Sequence, residues 1–329
     1  MDVISNLINA YPLGELIKPP TRCVGGLLHH SDLLTTSNGQ FIVKYLNPLI
    51  CRTDHDKARF CETETFAAQL SDVISVISAL KIKDSVLMCV DHQSLMVFPY
   101  VQAKSLLPHE IKMRHIGVMA SALAKIHQTH IVLPKPNHLL SISVDSHFFL
   151  NEHYPIKEKS AELAEKLLFY RQLMLTILDE YHGLAAQLTS NQVMSHRDCD
   201  PKNVLWDKKN QYYIIDWEYA GYINRTQDVL VTAIYWSLQV GFKLNRSHFL
   251  YFIRQYENAY VELDRSEIKA GLYGLLIDWL SWIELNMMRV MQTHDPAEYQ
   301  LAVNQIMQTL DALPKMLAQF PLIMEVLEI

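Results

Sequence analysis

Glycine is scarce in this chain, 10 residues in 329, against an average near 7% in ordinary proteins. So few tight turns favour a helix-rich fold and exclude a glycine-rich β or fibrous one. Cysteine is sparse too. Cys23, Cys51, Cys61, Cys89 and Cys199 are odd in number and never in C-x-x-C spacing. That argues against a disulfide framework or a zinc site, and a reducing cytoplasm is the expected compartment. There is no basic excess: 29 Lys and Arg against 35 Asp and Glu leave a net charge of −6, the opposite of a nucleic-acid footprint. Nor is there a long apolar run. The most apolar stretch, residues 270–285, has 16 residues and is broken by Asp278 and Glu284, too short and too charged to cross a membrane. The first twenty residues show no basic segment followed by an apolar core, so no signal peptide is expected. What the chain does have is core material, with 50% hydrophobic residues, which excludes disorder. Its length suits two lobes of unequal size.

The first hundred residues read as strands around one helix. Leu33–Thr36 and Phe41–Lys44 flank Ser37-Asn38-Gly39-Gln40, a hairpin signal. Phe66, Leu70, Val73, Ile74, Ile77 and Leu80 have amphipathic spacing and predict a helix over 62–80. Val86–Val90 and Leu95–Phe98 predict a second strand pair around residues 91–94. After residue 101 the texture is helical: Ile116, Met119, Ala120, Leu123 and Ile126 within 109–130, then Leu163, Leu167, Tyr170, Met174 and Leu178 within 160–188. One strand pair interrupts the helices near 203–217. The expected layout is α+β, with a small β-rich lobe over 1–101 and a larger helical lobe over 102–329.

The informative segment is Ser195-His196-Arg197-Asp198-Cys199-Asp200-Pro201-Lys202-Asn203, followed by Tyr212-Tyr213-Ile214-Ile215-Asp216-Trp217-Glu218. Pairing Val204–Asp207 with Tyr212–Ile215 about a centre between Lys209 and Asn210 predicts Asn203 opposite Asp216. Asp198 lies in the loop that enters this hairpin. An amide oxygen beside a carboxylate is the sparse oxygen set that Mg²⁺ on nucleotide phosphates needs.

This segment resembles the catalytic and metal-binding loops of the protein-kinase-like superfamily. It is most similar to its small-molecule branch, the aminoglycoside phosphotransferase and choline kinase family, which reads His-x-Asp-x4-Asn and then Ile-Asp-aromatic-Glu. Asp-Phe-Gly and Ala-Pro-Glu, the marks of protein kinases, are missing. The resemblance implies a bilobal kinase-like fold that uses ATP and Mg²⁺, with Asp198 as catalytic base and Asn203 and Asp216 on the metal. It further implies Lys44 on the α- and β-phosphates and a partner carboxylate for it, Glu64, with Glu62 as the alternative. Gly25 and Gly26 fall where a nucleotide-covering turn belongs. Phe98 and Tyr100 fall in the hinge whose backbone reads adenine. His127 and His196 read as structural supports, and Cys199 as small-side-chain packing.

The implied reaction moves the γ-phosphate of ATP to a hydroxyl of a small cationic substrate such as an aminoglycoside. A choline or ethanolamine kinase is the alternative, and a protein kinase or nucleotide-binding pseudoenzyme stands further off. Substrate candidates are Glu218, Asp228, Tyr235, Trp236, Asp278, Trp279, Trp282 and Glu284. Trp279-Leu280-Ser281-Trp282 resembles the Trp-x-x-Trp element with which choline kinases hold a quaternary ammonium. Tyr235, however, stands before Trp236 where choline kinases carry an acidic residue. A small-molecule partner is expected, with no nucleic acid and no membrane. The oligomeric state is left open.

Overall fold

The computed structural model describes residues 3–131 and 156–328. Along the chain run α1 (Val3–Ala10), β1 (Leu16–Arg22), β2 (His30–Thr36), β3 (Gly39–Tyr45), α2 (Asp54–Gln69), β4 (Met88–Val90), β5 (Gln93–Pro99) and β6 (Ala103–Ser105). Next come α3 (Met113–His127), α4 (Ile156–Lys159), α5 (Ala161–Leu184), β7 (Gln192–Ser195), β8 (Val204–Asp207), β9 (Tyr212–Ile214) and β10 (Gly221–Asn224). The chain ends in α6 (Arg225–Tyr235), α7 (Arg246–Ala259), α8 (Ile268–Gln292), α9 (Pro296–Leu317) and α10 (Phe320–Val326). Of the described residues, one compact unit takes those within Met1–Ser105 and Lys202–Ala220. The other takes those within Leu106–His130, His138–Pro201 and Gly221–Ile329.

The first unit is built on a five-stranded antiparallel sheet in the order β1-β2-β3-β5-β4. Its hairpins are tighter than the sequence suggested. Thr36 pairs with Gly39 across the two residues Ser37 and Asn38. Val90 pairs with Gln93 across Asp91 and His92, which sit at φ 50° and 66°, the backbone of a hairpin turn that follows the strand twist. One face of the sheet buries Leu34, Val43, Tyr45, Leu95 and Val97 against Ile4 and Leu7 of α1. Met96 on the other face packs with Leu46, Phe60 and Ala79. Side chains alternate along a strand, so Lys44, between Val43 and Tyr45, belongs to the α2 face.

The helix expected over 62–80 is instead α2, and it starts eight residues earlier. Thr53 caps it, with the Thr53–Asp56 capping box satisfying donors at both positions. The apolar positions after Leu70 are not helical. Ile77 N–H donates to Ile214 C=O at 3.0 Å, and Leu80 N–H to Val97 C=O at 2.7 Å, so this stretch is extended and fills two strand edges. Spacing of three and four cannot separate a short buried extended run from a helix.

In the second unit, Ser160 caps α5 by accepting from Leu163 N–H at 3.2 Å. Leu163, Met174 and Leu178 are buried as their stripe predicts. β7 and β10 form an antiparallel pair, Ser195 opposite Gly221, which no sequence pattern announced. The apolar run 270–285 is the middle of α8. Among the described residues no helix is long and apolar enough to cross a membrane.

Candidate active site

Lys44 is the hub of the first unit. Its Nζ donates to Asp216 Oδ1 at 2.6 Å and to Glu218 Oε2 at 2.5 Å. Burial alone would depress the ammonium, but Asp216 and Glu218 raise it well above its ordinary value. Glu218 answers in the opposite direction. Burial pushes its carboxyl up, yet Lys44 and then His29 hold it well below the usual carboxylate range. The expected Lys44–Glu64 pair is therefore replaced in this structure. Glu64 Oε2 accepts the N–H of Ala79 at 2.6 Å, because the extended 73–80 segment brings that amide over α2. Burial pushes Glu64 up to about 7, against the hydrogen bond from Ala79 and the charge of Lys44. Glu218, expected among the substrate residues, lies with Lys44 instead.

Asn203 and Asp216 are not opposite one another. Val204 pairs with Ile214 and Trp206 with Tyr212, and Ile215 N–H donates to Asn203 C=O at 3.0 Å. The register is one residue shorter than predicted because the loop holds Lys208, Lys209 and Asn210, with Asn210 left-handed at φ 61°. Asp216 lies just past the pairing, itself left-handed at φ 66° and ψ 60°, a conformation uncommon for residues other than glycine. It starts the short turn Trp217–Tyr219. Buried Trp217 anchors that turn, donating Nε1–H to Ile214 C=O at 3.2 Å and meeting Phe66 of α2 edge-on at 5.9 Å.

The glycine turn falls between β1 and β2. At Gly26 an added Cβ would lie 2.0 Å from the carbonyl oxygen of His29, so no larger residue fits without moving the backbone that carries the His29 ring. Gly25 sits at φ 111°. Phe98 pairs with Ile42 in β5, and Tyr100 N–H donates to Gln40 C=O at 3.2 Å as the chain leaves the sheet.

In the second unit the β7–β10 pair presents the loop Ser195–Asp198. Ser195 and His196 are fully buried, and His196 Nδ1 accepts the N–H of Asp198 at 3.2 Å, the supporting role read from sequence. Beneath them Asp228 Oδ2 accepts from Ser195 Oγ at 2.6 Å and meets His127 Nε2 at 2.9 Å. His127 Nδ1 in turn meets the Tyr256 hydroxyl at 2.8 Å. Asp228 is 1% exposed, so it is a buried anchor of the loop and not a substrate contact. Trp236 donates Nε1–H to Cys199 C=O at 2.8 Å and is likewise core. Burial pushes the Cys199 thiol well up, which suits packing and not reactivity.

The α8 candidates divide by burial. Glu284 is buried within the helix packing, 9% exposed, whereas Asp278, Trp279 and Trp282 are half-buried. Trp279 donates Nε1–H to the Tyr235 hydroxyl at 2.8 Å and meets Phe242 edge-on at 6.2 Å. Burial pushes Asp278 up to about 6; Arg197 opposes this, while the charges of Asp228 and Asp198 add to it. Sequence reasoning missed Gln227, whose side-chain amide opposes the upward shift of Asp278. The signal was a glycine: a Cβ at Gly274 would lie 2.6 Å from Gln227 Nε2, so α8 leaves room there for that amide.

A β-sheet-rich N-terminal region, a helical C-terminal region and this order of lysine, catalytic loop and Asp-turn define a protein-kinase-like fold. Residues 25–264 match the phosphotransferase enzyme family, and the chain belongs to it: it is a phosphotransferase acting on small-molecule hydroxyls. Solved structures agree on the fold. Spectinomycin phosphotransferase APH(9)-Ia, in complex with ADP and spectinomycin, is similar at TM-score 0.68 and 13% identity, over 94% of this chain and 97% of its own. Choline kinase LicA from Streptococcus pneumoniae gives 0.61 and 16%, over 95% and 98%. Macrolide 2'-phosphotransferase MphH from Brachybacterium faecium gives 0.53 and 11%, over 92% and 97%. No curated protein matches the chain in sequence.

Proposed function

We propose that the chain transfers the γ-phosphate of ATP, with Mg²⁺, to a hydroxyl of a small cationic acceptor such as an aminoglycoside. The observation that carries this reading is Lys44, held on a central strand against Asp216. A buried ammonium poised between carboxylates is ready to exchange one of them for phosphate oxygens. Asn203 and Asp216 fit Mg²⁺ by their chemistry. Both offer oxygen, and Mg²⁺ needs one or two protein ligands beside phosphates and water. Among the described residues no group of three or more His, Cys, Asp or Glu is arranged to hold a metal. When bound, the metal would neutralise charge on the phosphates. Glycine at position 26 lets backbone approach them closely. The 93–101 passage supplies backbone groups for the base.

Asp198 is the carboxylate that orients the acceptor hydroxyl and takes its proton. Its loop is fixed by the Ser195–Asp228–His127 network, so the residue needs no reorganisation to act. Asp278 and the aromatic rings of Trp279 and Trp282 supply charge and π-faces for a cation. The similar structures act on spectinomycin, choline and macrolides by name; the residue before Trp236 is Tyr235, which weighs against choline. The test is thermal stabilisation by ATP with and without Mg²⁺, since a ligand of the native state raises apparent stability. Asp216→Ala should abolish the magnesium-dependent shift, and its full retention would remove the metal assignment. A panel of amino and neutral alcohols then identifies the acceptor.

A further inference from the structure

α2 holds a guanidinium with two unsatisfied nitrogens. Arg59 is 5% exposed, and among the described residues its Nε and Nη2 find no hydrogen-bond acceptor. Its Cζ lies 5.8 Å from the Phe60 ring centroid. α2 packs against the Trp217–Tyr219 turn, and the guanidinium feels the charge of Asp56 first and then that of Glu218. Burying an unsatisfied charged donor costs several kcal/mol.

A second buried donor already faces the same carboxylate. His29 Nδ1 accepts the N–H of Asn47 at 2.8 Å, which makes Nε2 the protonated nitrogen. Nε2 stands 3.2 Å from Glu218 Oε2 without making a well-formed hydrogen bond. Glu218 Oε2 is engaged by Lys44. Glu218 is thus faced by Lys44 and His29, while Arg59, in its field, keeps two donors unsatisfied.

We propose that Arg59 and His29 form a reserve cradle for Glu218, receiving its carboxylate when Lys44 turns to nucleotide phosphates. The inference rests on the nucleotide reading above. Without such a cradle, releasing Lys44 would leave Glu218 buried and unpaired, and that cost would be subtracted from nucleotide affinity. Arg59 is a positioning residue in this scheme: it acts through Glu218 and touches no substrate.

The consequence is a change of sign that a merely structural arginine would not show. With Lys44 present, Arg59→Leu removes an unsatisfied donor and should leave the melting temperature of the nucleotide-free full chain unchanged or higher. In a Lys44→Met background, which mimics release of the lysine, the same change should lower it. The double variant should melt about 2 °C or more below the sum of the single changes, and Arg59→Lys in that background should recover part of the loss. Additive melting shifts, or a large loss from Arg59→Leu alone, would overturn the proposal. Calorimetry on the otherwise wild-type chain adds a second reading: Arg59→Leu should weaken Mg·ATP binding at least about tenfold, or ~1.4 kcal/mol. Should the wild type bind no Mg·ATP, the nucleotide reading falls, while the nucleotide-free cycle still decides whether Arg59 holds Glu218.

Discussion

Glu64→Gln should flatten part of the pH dependence of stability. Glu64 is 4% exposed and its carboxyl is pushed up from 4.5 to about 7 by burial, only partly relieved by Ala79 N–H and Lys44. A folded-state value above the unfolded one means that the folded protein prefers the protonated group. The associated stability is full below pH 4.5 and is lost as pH rises through about 7. At ~1.4 kcal/mol for each pH unit, the loss between these limits is about 3 kcal/mol. Glutamine keeps an oxygen for the Ala79 N–H and cannot ionise. Urea denaturation of wild type and variant at pH 5, 6, 7 and 8 reads the difference directly, because other titrating groups cancel. The wild type should lose about 3 kcal/mol relative to the variant over this range. A difference that stays constant with pH would refute the reasoning and place a permanent charge on Glu64.

Asp198→Asn should lower turnover at least about a hundredfold while nucleotide binding persists, as single-turnover kinetics and calorimetry would register. Asp228→Ala strands the Ser195 hydroxyl and a His127 nitrogen, each buried. It should cost about 2–5 kcal/mol of stability, measurable by denaturant unfolding. Asp278 must be ionised to attract a cation, so the KM for a cationic acceptor should rise as pH falls below about 6. Asp278→Asn should remove that rise.

The order of parts was legible in the sequence because the motif is local: His196, Asp198, Asn203 and Asp216 sit within one short stretch. What was illegible is long-range. Glu64 and Glu218 exchanged places relative to Lys44 because an extended segment, read as helix, carries the Ala79 amide over α2. No property of residues 73–80 taken alone distinguishes the two conformations. The one-residue error in the β8–β9 register came from a loop whose length depends on Asn210 adopting a left-handed backbone, a tolerance of asparagine and not a requirement. Asp228 looked like a ligand because carboxylates on a helix near a catalytic loop often are. Its burial is set by β7 and β10, whose four-residue strands are too short to announce themselves.

The close approach at Gly271 and Gly274 bears on how the proposed acceptor face can vary over evolutionary time. Cβ atoms at these positions would meet the Gln227 backbone at 3.1 Å and its side chain at 2.6 Å, so α8 lies close against α6 there. Asp278 lies one turn beyond Gly274, and Trp282 one turn beyond Asp278. A one-residue insertion or deletion between Gly274 and Asp278 would swing both by about 100° relative to that contact. On the acceptor site proposed above, new acceptors would be reached by point substitution at 278, 279 and 282, by changing letters more readily than by changing length.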